Sequence, residues 1–188
     1  MKKTRLIHIS NPFQLIILIV AGAFFTATGF LTPLWAEFVK HLGGNLKTAG
    51  IAVSIYSMSY GLFAFLLSFI QNKINQDKFF LCLSYLLYGV LCLGYLFIRT
   101  SLQLYCLQLL IAFAGAMQSP VCDSLYSKAL TTGKETVGWG LYVLIYTFSI
   151  GAGALIGSHI AHYMGFDWVF LSMSAFGITA FLIAVILL

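Results

Sequence analysis

Charge is what this sequence has least of. Of its 188 residues only 8% are Asp, Glu, Lys or Arg, where an ordinary soluble domain carries roughly 25%. Hydrophobic residues make up 61%. A soluble fold of this length cannot bury so much apolar side chain, so the shortage excludes a water-soluble globule and requires lipid against part of the surface. The formal net charge is +5, but the basic residues sit in short gaps between apolar runs. No basic stripe is interleaved with aromatics, which argues against nucleic acid as a partner. Cysteine is also sparse: Cys82, Cys92, Cys106 and Cys122 fall inside apolar runs, without zinc-site or disulfide-framework spacing, and read as small buried hydrophobes. No Ser/His, Cys/His or paired-carboxylate constellation is present, so the chain is not read as an enzyme and no cofactor is implied. His159 and His162, with Asp167 nearby, come nearest to a metal site, but a usable site needs more ligands. His8 and His41 fall in loops on opposite sides of the membrane and do not make a haem pair.

What is present is apolar length. Six runs of about 20 residues, each able to cross the hydrocarbon core as a helix, separate at polar breaks. They are expected at Phe13–Ala36, Thr48–Ile70, Phe79–Ile98, Leu102–Leu125, Val137–Ala161 and Trp168–Leu188. The first follows Lys2, Lys3 and Arg5, but it is about twice the length of a signal-peptide core and lacks a small-x-small exit, so it reads as a retained span. The division is therefore a tail over 1–12 and a six-helix bundle over 13–188. With the N-terminus inside, Lys2, Lys3, Arg5, Lys73, Lys78, Lys128 and Lys134 fall on the inner side and Lys40, Lys47 and Arg99 on the outer. That bias places both termini in the cytoplasm of a cell membrane. Trp35, Trp139 and Trp168 lie near span ends, where amphipathic rings favour the headgroup layer. The longer connections follow the first and fourth helices, which hints at two three-helix repeats of opposite orientation, 13–98 and 102–188. The chain stops on Val185-Ile186-Leu187-Leu188, inside the sixth span, and the expectation is that something normally follows it.

Two helices carry small-residue stripes. On the second, Gly50, Ser54, Ser57, Gly61, Ala64 and Ser68 recur at three- and four-residue steps, and on the fifth Ser149, Gly153 and Gly157 do the same. In lipid such faces serve close backbone approach. Packing within the unit would account for either stripe alone, whereas two in matching places favour an external partner.

Several segments are similar to motifs of the major facilitator superfamily. Pro33 to Gly44, followed by Thr48-Ala49-Gly50, resembles that family's first outer loop and the start of its second helix. Ser68-Phe69-Ile70-Gln71-Asn72-Lys73-Ile74-Asn75-Gln76-Asp77-Lys78 occupies the place of its loop motif Gly-x-Leu-x-Asp-Arg-x-Gly-Arg-Lys, with Ser68, Asn72, Lys73 and Asn75 standing for Gly, Asp, Arg and Gly. Gln108 through Pro120 resembles the helix-four motif, with Gln108 in place of its arginine. Gly140, Ser149, Gly153, Ala154, Gly157 and Ser158 fall on the frame of the glycine-rich helix-five motif, and Gly165 to Phe170 resembles the loop entering helix six. Each is degenerate alone, but five in the right order are hard to obtain by chance.

The resemblance implies an all-α membrane fold, one half of a two-bundle transporter. Helices one, two, four and five would line a central cavity, three and six would face lipid, and two and five would meet the opposite half. It also implies alternating access about a midplane site. The second half would be another copy of the chain or a missing C-terminal half. Gly50, Ser54, Ser57, Gly61, Ser149, Gly153 and Gly157 are the expected contacts. Asn72 cannot supply the charge that latches the loop motif, which casts doubt on gating from this half.

Asp123 stands out among the spans as an ionisable residue, near the inner end of helix four, on the same side as Ser119 and within about 60° of Gln108. It can bind a cation or carry a coupling proton, or it can be an ordinary interfacial carboxylate near Lys128. Because Gln108 removes the fixed positive charge, a neutral or cationic organic compound becomes the expected substrate. Thr28, Tyr56, Tyr60, Tyr142 and Tyr146 would supply hydroxyls and ring faces. Glu37, beside Lys40 and His41, reads as a boundary charge, and Pro33 and Pro120 as kinks. The function expected is therefore a secondary transporter or efflux half. A degenerate, non-transporting membrane subunit that binds a partner through its small-residue faces is the alternative.

Overall fold

The computed structural model describes residues 11–187; Lys2, Lys3, Arg5, His8 and Leu188 lie outside the described residues. Six helices long and apolar enough to cross a membrane account for almost all of it: α1 (Pro12–His41), α2 (Leu46–Ile74), α3 (Asp77–Phe97), α4 (Ser101–Ala129), α5 (Glu135–Met164) and α6 (Phe166–Leu187). No strand occurs among the described residues.

The helix ends follow from local sequence. Asn11 accepts from the Phe13 N–H at 3.0 Å, with Pro12 in the first turn, where its missing N–H costs nothing. Asn45 with Thr48, and Thr100 with Gln103, form reciprocal capping boxes at the starts of α2 and α4. Asn75, at φ 53, stops α2 in the left-handed conformation, and Gly165, at φ 91, separates α5 from α6. Pro33 tightens α1 into a 3-10 turn over Thr32–Leu34, after which the helix resumes and runs to His41. Most helices outrun the apolar segments read from sequence, taking in polar residues at one or both ends. The longest connections are 42–45 and 130–134, after the first and fourth helices as expected.

Packing is pairwise and regular. The principal partners are α1 with α5, α2 with α4, α3 with α6, α3 with α4, and α1 with α6. Exchanging helices one, two and three for four, five and six maps this set onto itself, which is the pattern two related three-helix units would give. Buried polar groups tie the helices together: Gln14 donates to the Tyr126 hydroxyl at 3.1 Å, which donates to the Gly138 carbonyl at 2.6 Å. Gln118 reaches the Tyr85 hydroxyl at 3.5 Å. In a membrane core such groups have no water to fall back on, so each needs an internal partner.

The two small-residue stripes meet different fates. On α5, only Gly153 and Gly157 are buried, and they are buried inside this bundle. A Cβ on Gly153 would strike the Thr26 carbonyl and Gly29, and one on Gly157 would strike the backbone of Phe30. The Ser149 hydroxyl faces Gly22 of the same helix α1. The expectation that Ser149, Gly153 and Gly157 contact a second half is therefore corrected: glycine on glycine lets α5 approach α1 closely, and the face is already used. On α2 the opposite holds. Gly50, Ser54, Ser57 and Gly61 are exposed, and a Cβ on Gly50 or Gly61 would meet nothing. Apart from Ala49, Ala52, Leu67 and Gln71, α2 buries no residue. The α3–α6 crossing is also close, with Gly89 against Gly177.

Candidate functional site

A cavity of about 320 Å³ opens among α1, α2, α3, α4 and α6. Thr28, Leu31, Thr32 and Trp35 come from α1, Val53 and Tyr56 from α2, Tyr88 and Tyr95 from α3, Gln108 and Ile111 from α4, and Met173 from α6. None of these side chains is ionisable in the physiological range. Gln108 and Tyr95 are buried at its floor, the Gln108 Nε2 donating to the Tyr95 hydroxyl at 3.2 Å. The Tyr95 ring stacks on Phe170 at 4.9 Å and 18°. Trp35 is held by donation from Nε1 to the Ala49 carbonyl at 3.3 Å, which ties α1 to α2 at this corner. Thr28 donates to the Phe25 carbonyl at 2.9 Å and Thr32 to the Thr28 carbonyl at 3.0 Å.

Of the eight residues expected at a substrate cavity, Thr28, Tyr56 and Gln108 line this one together. The other five lie toward the opposite end of the bundle. Tyr60 is one turn along α2 from Tyr56, with ring centroids 5.8 Å apart, and packs on Gly115. Ser119 is beside Tyr60. Asp123, half-buried, lies beside Tyr142, about 22 Å along α4 from Gln108 at the α-helical rise. Tyr142 and Tyr146 both edge onto Phe25, at 6.2 and 4.6 Å. Asp123 is not the partner of Lys128. That lysine pairs with Asp77 at the start of α3, at 2.8 Å, which leaves the Asp123 carboxylate facing the tyrosines.

Eight cavity residues escaped the sequence reading, among them Trp35, Tyr88, Tyr95 and Met173. Helix three was expected to face lipid, yet Tyr85, Tyr88, Cys92 and Tyr95 are buried. Their three-, four- and seven-residue spacing was the available signal for an inward face.

The loop-motif residues frame a second cleft, of about 430 Å³, at the α2–α3 corner. Ser68, Asn72 and Asp77 are in its wall beside Gln71 and Lys128, while Lys73 and Lys78 are exposed. Gln71 donates to the Met117 carbonyl at 2.8 Å, and its Oε1 has no hydrogen-bond partner. Met117 lies one turn before Pro120, whose ring removes a backbone donor from α4, so the amide braces α2 against the weakened stretch. Glu37 and Lys40 form an exposed pair at 3.9 Å. His159 Nδ1 approaches the Leu155 carbonyl at 2.8 Å and His162 edges onto the Tyr163 ring. No group of three His, Cys, Asp or Glu side chains able to hold a metal occurs among the described residues.

Six apolar helices long enough to cross a membrane, five of which line an uncharged cavity, define an all-α multi-pass membrane protein. The Major Facilitator Superfamily model matches residues 16–188, and the chain belongs to that family. It is 24% identical over 150 residues to an uncharacterized MFS-type transporter, YitZ, of Bacillus subtilis (strain 168). The match covers 80% of this chain and 91% of that protein, so the relative is also a short chain.

Proposed function

We propose that this chain is one half of a secondary transporter that moves a small neutral or cationic organic compound by alternating access. The observation that carries the reading is the cavity itself. It is large enough for a small organic molecule, it is lined by rings and hydroxyls without formal charge, and it reaches the α2 side of the bundle, where that helix lies almost uncovered. The second half is inferred to be a second copy. In this family the two halves share one orientation about an axis along the membrane normal, so an identical chain can supply the other wall without inverting.

The open stripe Gly50, Ser54, Ser57 and Gly61 on α2 is the proposed contact with that second half, and α5 contributes through its larger exposed side chains, such as Val143, Phe148 and Leu155. The bias of Lys and Arg toward one side supports a cell-membrane orientation with both termini facing the cytoplasm. Asp123, released from Lys128 and set beside Tyr142, is the proposed coupling or cation-recognition group.

The test is flux through proteoliposomes holding the purified chain, with and without an imposed pH gradient. Uptake or extrusion of an organic cation that saturates and responds to the gradient supports the reading. Intact, folded protein with no flux of neutral or cationic probes would point to the non-transporting subunit instead.

A further inference from the structure

The cavity chooses among ligands by which of its donors are already committed. The Thr28 and Thr32 hydroxyls are spent on carbonyls of α1, the Trp35 indole N–H on Ala49, and an amide N–H of Gln108 on Tyr95. What the wall still presents is hydroxyl and amide oxygen, the hydroxyl protons of Tyr56 and Tyr95, the second N–H of Gln108, and four aromatic rings, Trp35, Tyr56, Tyr88 and Tyr95, from three different helices. An anion finds only neutral donors and no positive charge there, while a positive charge finds ring quadrupoles and oxygen dipoles.

The rings are also fixed in place. Tyr95 is stacked on Phe170 and tied to Gln108. Tyr88 meets the edge of Phe24 at 4.7 Å and 64°, Tyr56 leans on Tyr60, and Trp35 is pinned through its nitrogen. Rings held before a ligand arrives lose little freedom on binding, which favours recognition by ring faces. No carboxylate lines the cavity. A hard, strongly hydrated ammonium would give up its water for no ionic partner, whereas a quaternary or delocalised cation gives up far less.

We propose that Trp35, Tyr56, Tyr88 and Tyr95 form an aromatic box that selects a compact organic monocation of quaternary or delocalised charge, held by cation–π contact without a counter-carboxylate. This rests on the reading of the cavity as the substrate site and narrows its neutral-or-cationic substrate to a cation. The box is a recognition element, and Asp123, at the other end of α4, stays outside it.

The experiment uses the full chain in lipid nanodiscs, with mono-, di- and trifluorotryptophan placed site-specifically at position 35. The probes are N-methyl-4-phenylpyridinium and, at mildly alkaline pH, neutral 4-phenylpyridine, read by calorimetry or by competition. Fluorine drains the ring quadrupole and keeps the shape, so folding is preserved. The expected result is a stepwise loss of affinity for the cation, about two- to threefold per fluorine, with the neutral probe weak and indifferent to fluorination. Tyr56→Phe, which keeps the ring, should be mild, and Tyr56→Leu should weaken the cation several-fold. Equal binding of both probes without a fluorine effect overturns the cation selectivity while leaving the cavity a ligand site. Absence of binding by either probe overturns the box and the substrate cavity together.

Discussion

The Gln108 amide donates to the Tyr95 hydroxyl at 3.2 Å at the position where the family's helix-four motif carries arginine. A neutral side chain in that place holds a buried phenol through one amide N–H and adds no fixed charge to the cavity. Gln108→Leu removes the donor and leaves the Tyr95 oxygen without it, at a cost of about 1–3 kcal/mol. The midpoint of thermal unfolding in detergent should fall by several degrees, whereas Gln108→Glu, which can still reach the hydroxyl as an acceptor, should fall less and increase affinity for cations. Equal midpoints for wild type and Gln108→Leu would remove the hydrogen bond from the structural argument.

The two small-residue stripes separate by substitution. Gly157→Val drives side-chain carbons into the backbone of Phe30, an overpacking without a flexible neighbour to yield, so a loss of about 3 kcal/mol or more is expected. Gly61→Val has open space around it and should leave the isolated bundle as stable as wild type while impairing pairing or flux. Denaturant titration of both variants in the same detergent, beside a flux assay, distinguishes a face used inside the bundle from one left for a partner.

Asp77 and Lys128 form an ion pair at 2.8 Å between the start of α3 and the end of α4, with side-chain exposures of 20% and 60%. That much solvent limits the pair to about 1 kcal/mol or less. Asp77→Asn and Lys128→Gln should each cost little, and the double substitution should cost no more than either one. A coupling well above that range in a double-mutant cycle would show the corner to be drier than its exposure indicates.

Asp123→Asn keeps the shape and hydrogen bonding of a half-buried side chain, so the protein should fold. In proteoliposomes, cation flux should lose its dependence on the pH gradient or fall at least tenfold. Unchanged flux with unchanged pH dependence assigns the carboxylate to structure alone.

Much of the fold could be read before any coordinates. Six apolar runs of spanning length admit few arrangements, and the Asn45 and Thr100 caps mark where helices begin. The site was legible only in part. Gly153 and Gly61 obey the same spacing rule, and nothing local records that one lies against Gly29 and the other against open space. Trp35 sits where membrane-anchoring tryptophans sit, and only the return of α2 beside it places the Ala49 carbonyl within reach of its nitrogen. Tyr88 and Tyr95 were hidden by the expectation that helix three faces lipid, although that helix is amphipathic enough to turn its tyrosines inward. Asp123 could be read as an interfacial carboxylate near Lys128, and only the tertiary structure shows that Asp77 takes that lysine.

The most direct measurement is the protein mass of the purified particle in mild detergent, with bound lipid and detergent subtracted. Pairing with a second copy through the open face of α2 requires twice the chain's 20.7 kDa, and reversion to a single chain when Gly61 is replaced by a bulky residue. A folded particle of one chain mass at every concentration would contradict it.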